Sequence, residues 1–356
     1  MSEALHLIVP GDPGQRTGGY LFDARIVEQL RALGWTVTVT GLSGRFPLAD
    51  TAARASMAES LAALPEQSRV MIDGLALGAV PEAVATQADR LKLVGLVHHP
   101  LADETGLNDA QRERLLSSER QALALCDAIV VTSAFTARRL QALGLTQKQA
   151  IVIEPGVERA QLAPAALARR QTGREPETET LLCVASLTPR KGQDLLVAAL
   201  DSLRHLPWRC RLSGSDARAP DFAAAVREQI ARLGLDGRVE VSGERDAAEL
   251  EGDYRWASVC VLPSHYEGYG MVVTEALARG LPVIATSGGA LADTVPEDTG
   301  LRVPPGDADA LARALARWLS DESLRRRCTE AAIERRDQLP GWTGSARRLA
   351  EALTSA

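Results

Sequence analysis

The sequence predicts an α/β protein made of two Rossmann-like halves in tandem. Three features carry that prediction. Short runs rich in Val, Ile and Leu alternate with helix-length patterns along nearly the whole chain. Those runs lack the polar alternation of a half-solvated strand, so they read as strands of parallel sheets covered by helices on both faces. The alternation lapses once, near the middle, and then resumes. A length of 356 residues suffices for two domains that each bury a core, with a cleft between the halves as the natural ligand site.

The first series opens with a strand from Leu5 to Pro10, a Gly-rich loop, and an amphipathic helix from about Tyr20 to Leu33. Strands follow at Trp35 to Thr40, at Val70 to Asp73, in the run ending at Val97, at Ala128 to Thr132 and at Ala150 to Ile153. From Glu158 to Thr180 the chain turns to Ala, Arg, Glu, Pro and Thr, including R-E-P-E-T-E-T, and reads as a linker. A second series begins with T-L-L-C-V-A-S at Thr180 and continues at Arg209, Val239, Ala257 to Leu262, and Pro282. Between the last two, Met271 to Arg279 predicts a short helix closed by Gly280 and Pro282. From Asp307, an N-cap after P-P-G, the remainder is helical. The expected domains are therefore 1–165 and 175–335, with a C-terminal helix over 336–356 that packs back on the first domain.

Composition narrows the function. With 46% hydrophobic and 24% charged residues the chain is a soluble globular protein. Its net charge of −6, with no basic block, argues against a nucleic-acid partner. No apolar run approaches the ~20 residues of a membrane span. The N-terminus, M-S-E-A-L-H-L-I-V-P, runs directly into a strand without the regions of a signal peptide, so the expected location is the cytoplasm. The five cysteines are scattered, mostly in apolar runs, with no metal-ligand spacing, and are expected as buried thiols.

Open α/β sheets bind ligands beyond the carboxyl ends of their strands, and five strand-end segments hold candidate chemistry. In P-S-H-Y-E-G-Y-G-M-V-V-T-E-A-L-A-R-G-L-P-V-I-A, Glu267 and Glu275 stand eight residues apart around a turn. Gly268, Tyr269 and Gly270 offer backbone N–H groups there, in a setting that favours an anion. Two carboxylates flanking such a turn suit the hydroxyls on either side of a phosphate. In P-G-D-P-G-Q-R-T-G-G-Y, Gly18 and Gly19 precede a helix and let a ligand approach the backbone, although a purely conformational turn is the plain alternative. L-V-H-H-P places His98 and His99 at a strand end, with no third ligand at metal-binding spacing. S-L-T-P-R-K-G-Q-D sets Arg190 and Lys191 at a strand-to-helix turn, where paired cations suit a pyrophosphate. Ser133, in V-T-S-A-F-T, reads as a helix cap before it reads as a catalyst, and S-G-G-A at Ser287 to Ala290 as a turn. The chain lacks G-x-S-x-G, G-x-x-x-x-G-K-[ST] and H-E-x-x-H, and shows no clear dinucleotide fingerprint.

Taken together, E-G-Y-G-M-V-V-T-E-A-L-A-R-G-L-P-V-I-A, T-G-G-Y, the strand-end His, T-S-x-F-T, G-V-E at Gly156 to Glu158 and L-T-P-R-K-G-Q-D-L-L resemble family 4 retaining glycosyltransferases with their E-x7-E signature. The resemblance implies the GT-B fold, with two Rossmann-like domains facing across a cleft, an acceptor-side domain first and a nucleotide-sugar domain second. It implies that Glu267 binds donor-sugar hydroxyls, Glu275 the ribose, and Lys191 the diphosphate. His99, with His98 as second choice, would approach the reacting carbon, while Gly18 and Gly19 line the cleft. It implies no cofactor and no metal. The co-substrate is a nucleotide-diphosphate sugar, UDP- or GDP-linked, and transfer is by front-face displacement in which the leaving phosphate helps to deprotonate the acceptor. One departure stands out: relatives carry G-R-L where this chain has Ala185, Ser186 and Leu187, so Arg190 is the expected substitute cation.

Two rivals remain at this stage. An epimerase or hydrolase of the same fold would need a further acid/base pair, for which Asp103 and Glu104 are the visible candidates; a non-catalytic binder would need none. The acceptor is expected to be a soluble small molecule rather than a lipid or polysaccharide. On the first helix Asp23 and Glu28 offset Arg25 and Arg31, which weakens a membrane-docking face without removing peripheral contact.

Overall fold

The computed structural model describes residues 3–173 and 175–355. Met1 and Ser2 of the expected first domain, Arg174 of the expected linker and Ala356 of the expected last helix lie outside the described residues. The chain divides into two units, Met1–Gly156 with Pro340–Ala356, and Val157–Leu339.

The first unit holds β1 (Ala4–Pro10), β2 (Thr36–Leu42), β3 (Arg69–Asp73), β4 (Lys92–Val97), β5 (Ala128–Val131) and β6 (Ile151–Val152). They form one parallel sheet in the order β2-β1-β3-β4-β5-β6. The chain moves outward from β1 to β2, then restarts on the other side of β1 with β3. This reversal opens a crevice at the carboxyl ends of β1 and β3.

The second unit holds β7 (Glu179–Val184), β8 (Trp208–Ser213), β9 (Val239–Gly243), β10 (Val259–Leu262), β11 (Val283–Thr286) and β12 (Gly300–Val303), ordered β12-β11-β10-β7-β8-β9 and all parallel. Its reversal lies between β7 and β10. Successive residues of these strands go to opposite cores: Leu181, Cys183, Val259 and Val261 pack on one face, and Leu182, Cys260 and Leu262 on the other. Burial on both faces explains why the strands read as unbroken apolar runs. The short strand β12, G-L-R-V, escaped the sequence reading because four residues with a central Arg carry no pattern.

Two expected boundaries move. The segment expected as a linker contains a helix, Pro164–Thr172, with Pro164 in its first turn and Gly173 in the left-handed conformation at its end. Ala163 and Ala166 belong to the second unit's core, so the division falls after Gly156 and not near 165. The polar composition misled because its charges pair with one another in the interior. Arg169, 1% exposed, donates to Glu175 at 2.9 Å and Glu179 at 2.5 Å, and Arg325 reaches Glu175 at 2.8 Å.

The expected terminal helix starts later, at Trp342 rather than 336. The helix Glu322–Arg336 stays in the second unit, and Trp342–Ser355 is part of the first. There the Trp342 ring lies 6.0 Å from Phe22, Thr343 Oγ1 lies 2.7 Å from Gln29 Oε1, and Ser345 Oγ donates to the Glu154 carbonyl at 2.7 Å. All five cysteines are buried and free. No helix among the described residues is long and apolar enough to cross a membrane.

Candidate active site

In the second unit the loops after β7 and β10 leave adjacent strands at the reversal, and they are laced together. Gly192, at φ +66°, ends the turn Pro189–Lys191, and a Cβ there would run into the Pro263 carbonyl. His265 N–H donates to the Arg190 carbonyl at 2.8 Å, and Arg190 Nη1 donates to the Tyr266 carbonyl at 2.9 Å. Lys191 and Glu267 are thereby brought face to face. Lys191 Nζ donates to Glu267 Oε1 and Oε2 at 2.6 and 2.8 Å, Ser264 Oγ donates to Oε1 at 2.7 Å, and Arg190 Nη1 stands 3.6 Å from Oε2. Burial pushes the Glu267 carboxyl up, but the Lys191 and Arg190 charges outweigh it and hold the group below the usual carboxylate range. Burial pulls the Lys191 ammonium down, with Glu267 opposing.

The S-G-G-A segment braces this carboxylate from behind. Ala290 N–H donates to the Glu267 carbonyl at 2.8 Å, and Glu267 pairs with Gly289 in an isolated parallel bridge. Gly268, Tyr269 and Gly270 then lead into the helix Met271–Leu277, two residues shorter than expected. Glu275 lies on that helix. Tyr254 OH donates to its Oε2 at 2.6 Å, Arg279 Nη1 donates to its carbonyl at 2.8 Å, and the Arg279 guanidinium sits 4.3 Å over the Tyr254 ring. At the departure from the family pattern, the Ser186 carbonyl accepts from the buried Gln193 Nε2 at 3.0 Å. Arg190, expected to replace the missing cation, points its guanidinium at Tyr266 and Glu267.

In the first unit the loops after β1, β3 and β4 converge on His98. Its Nε2 stands 3.4 Å from both Asp23 Oδ1 and Asp73 Oδ2. Gly19 lies against the ring, where a Cβ would come within 3.3 Å of His98 Cδ2, whereas Gly18 has nothing within 4 Å of that position. His99 turns instead to Glu104, with 2.5 Å between Nε2 and Oε1. Asp103 is held by both Arg139 Nε and Nη2 at 2.8 and 2.6 Å, so the acid/base pair an epimerase would need is engaged in ion pairs. Ser133 caps its helix by accepting from Thr136 N–H at 3.0 Å.

The sequence places no third ligand at metal-binding spacing beside the histidines. Among the described residues Asp23, Asp73 and His98 form a group whose ligand atoms lie within 4.8 Å of one another. Asp73 ends the strand V-M-I-D and could have been found there; Asp23 had been read only as a charge offsetting Arg25. Tyr254 and Ser264 were also missed: Tyr254 stands 21 residues from Glu275, while Ser264, three residues before Glu267, was visible in P-S-H-Y-E.

Residues 166–335 match the glycosyl transferases group 1 family. This segment is similar in sequence to the group 1 glycosyl transferases. It contains Arg190, Lys191, Glu267 and Glu275, while Gly18, Gly19, His98 and His99 lie before it. The chain is 36% identical over 251 residues to a D-inositol 3-phosphate glycosyltransferase of Kineococcus radiotolerans, covering 64% of this chain and 57% of that protein. It is 28% identical over 235 residues to a mannosylfructose-phosphate synthase of Agrobacterium fabrum, covering 63% and 52%. The match thus spans less than two thirds of these relatives' length. Among solved structures, a sucrose-phosphate synthase from Thermosynechococcus elongatus aligns over 99% of this chain and 98% of its own, at TM-score 0.80 and 27% identity. The fold is GT-B, with two parallel six-stranded sheets.

Proposed function

We propose that the chain is a retaining glycosyltransferase that moves a hexose from a nucleotide-diphosphate sugar to a hydroxyl of a small phosphorylated acceptor. The observation that carries this reading is the Lys191–Glu267 pair at the β7/β10 reversal, with Glu275 one short helix further on. Glu267, kept ionised by Lys191 and Arg190, accepts hydrogen bonds from sugar hydroxyls; Lys191 and Arg190 carry the charge that builds on the departing diphosphate. Glu275 accepts from the ribose hydroxyls, and Gly268, Tyr269 and Gly270 present backbone N–H groups to the donor. In the first unit Gly19, Gly18 and the His98–His99 pair serve the acceptor side.

The bond between the anomeric carbon and the diphosphate oxygen breaks as the acceptor oxygen bonds to the same face, and the acceptor proton passes to the leaving phosphate. With two cations at the diphosphate, the step calls for no divalent metal. The phosphorylated acceptor is suggested by the relatives' own names, which specify an inositol phosphate, a mannosylfructose phosphate and a sucrose phosphate. Five free, buried thiols suit a reducing compartment, so we assign the activity to the cytoplasm.

The test is to incubate the protein with UDP- and GDP-hexoses, with and without inositol phosphate or a hexose phosphate. Release of nucleoside diphosphate and the anomeric configuration of the product are then followed by NMR. Acceptor-dependent release with retained configuration is expected. Equal release without acceptor would make the protein a hydrolase, and no release with any donor would remove the reading altogether.

A further inference from the structure

Asp23 is a buried carboxylate of the first unit with no hydrogen-bond partner on either oxygen. It sits inside the helix Gly18–Ala32, 5% exposed. Burying a carboxylate costs several kcal/mol unless a partner offsets it, and Asp23 caps no helix and closes no turn. Asp73 differs only in part: its Oδ1 accepts from Leu75 N–H at 2.8 Å, while Oδ2 faces His98. Unreturned cost of this kind gathers where function requires it.

The side chain these carboxylates face is fixed from every direction. Phe22 meets the His98 ring edge-on at 5.5 Å, Gly19 lies against its Cδ2 edge, and the hydroxyls of Thr132 and Thr136 donate to its carbonyl at 3.5 and 3.3 Å. The ionisable groups around the ring are Asp23 from the helix, Asp73 from the end of β3 and, one residue on, His99. With a neutral ring the buried cluster carries two negative charges; with a charged ring it carries one.

We propose that Asp23 and Asp73 are positioning residues that lock His98 as a charged ring between them, and that His98, rather than His99, is the histidine that meets a substrate oxygen. Nε2 faces the two carboxylates at 3.4 Å, which leaves Nδ1–H as the donor for a ligand. The ligand chemistry is therefore an oxygen acceptor, a sugar hydroxyl or a phosphate oxygen. Burial alone would discharge the ring, but the two carboxylates outweigh it and raise His98 above its ordinary value; burial also pushes Asp73 up, to about 6. His99 turns to Glu104 of its own loop, 2.5 Å from Nε2 to Oε1.

The inference rests on the glycosyl-transfer reading only for its kinetic arm, so two measurements separate the two. The first is histidine-selective NMR on the full chain, with the His98 signal assigned by its loss in His98→Gln. The wild-type ring is expected to stay charged to above pH 7, and Asp23→Asn and Asp73→Asn to lower its midpoint by about one pH unit or more. An unmoved midpoint in both variants overturns the clamp, as does one equivalent of divalent metal retained by wild type and lost in Asp23→Asn, which would make the cluster a metal site. Thermal melts confirm that each variant is folded; where one is not, the other decides the NMR arm. The second measurement is turnover. A fall in kcat of about tenfold or more with donor KM little changed is expected in Asp23→Asn, with partial rescue in Asp23→Glu. Loss of donor affinity instead would overturn the positioning role. Absence of turnover in the wild type would count against the transferase reading, while the NMR arm would still decide the clamp.

Discussion

Tyr254 OH donates a hydrogen bond to Glu275 Oε2 at 2.6 Å, across the 21 residues that separate them in sequence. The phenol is buried, and burial together with the Glu275 charge pushes its own ionisation well above the ordinary value, so it remains a donor. One carboxylate oxygen of Glu275 is thus oriented by the protein, which leaves the other to a ligand.

Tyr254→Phe should therefore weaken nucleotide binding while leaving the fold intact. A hydrogen bond to a charged group contributes about 1.5–3 kcal/mol, so Kd for UDP or GDP by calorimetry should rise roughly tenfold or more. An unchanged Kd would detach Glu275 from the nucleotide.

The two glutamates should fail differently. Glu275→Ala should raise the nucleotide Kd about tenfold or more. Glu267→Gln should lower kcat roughly 10²–10³-fold, the usual loss when one charge-stabilising contact is removed. Steady-state kinetics paired with binding isotherms distinguish them, and unchanged values for both variants would refute the site. Melts should accompany Glu267→Gln, since it leaves the Lys191 charge without its carboxylate.

Arg169 offers a structural test away from the site. It joins Glu175 and Glu179 and donates to the Ser258 carbonyl at 3.2 Å, while Trp318 Nε1 donates to Glu179 at 3.2 Å. Arg169→Ala leaves the buried Glu179 and the partly buried Glu175 with Arg325 as their remaining cation, so about 3–5 kcal/mol of stability should be lost. Urea unfolding followed by tryptophan fluorescence would show it; a loss below about 1 kcal/mol would mean that the network adds little to this unit.

Glu119 predicts a pH effect. Its Oε2 accepts from Leu101 N–H at 3.0 Å, and burial pushes its carboxyl from 4.5 to about 8. The folded chain holds this proton more tightly than the unfolded chain does. That stability is complete below about pH 4.5 and is lost as pH rises through about 8. Glu119→Gln, neutral throughout, should melt near wild type at about pH 5 and roughly 3 °C or more above it at about pH 8.5. Parallel melting curves across that range would contradict the shift.

The elements were legible because each depends on its own residues. Leu181 to Val184 and Val259 to Leu262 read as buried strands from composition alone, and Asp307 and Ser133 announced their helices by capping. The Pro164–Thr172 helix did not, because Arg169, Glu175 and Glu179 look solvated until their mutual pairing is seen. The spacing of Glu267 and Glu275 was visible, but not which side chains hold them: Ser264 stands three residues from Glu267, whereas Lys191 lies 76 residues from Glu267 and Tyr254 21 residues from Glu275.

The sequence by itself determined the alternation of strand and helix, the positions of the strand-end loops, and the residue types available for chemistry. Only the tertiary structure decided which strand lies beside which, and with it the reversals at β1/β3 and β7/β10 that bring distant loops together. The physical reason is that strand identity follows from local burial pattern, whereas strand order follows from how whole βα units pack. Asp23, Asp73 and His98 became neighbours only through that packing. It also made His98 the clamped histidine, although His98 and His99 are indistinguishable as letters.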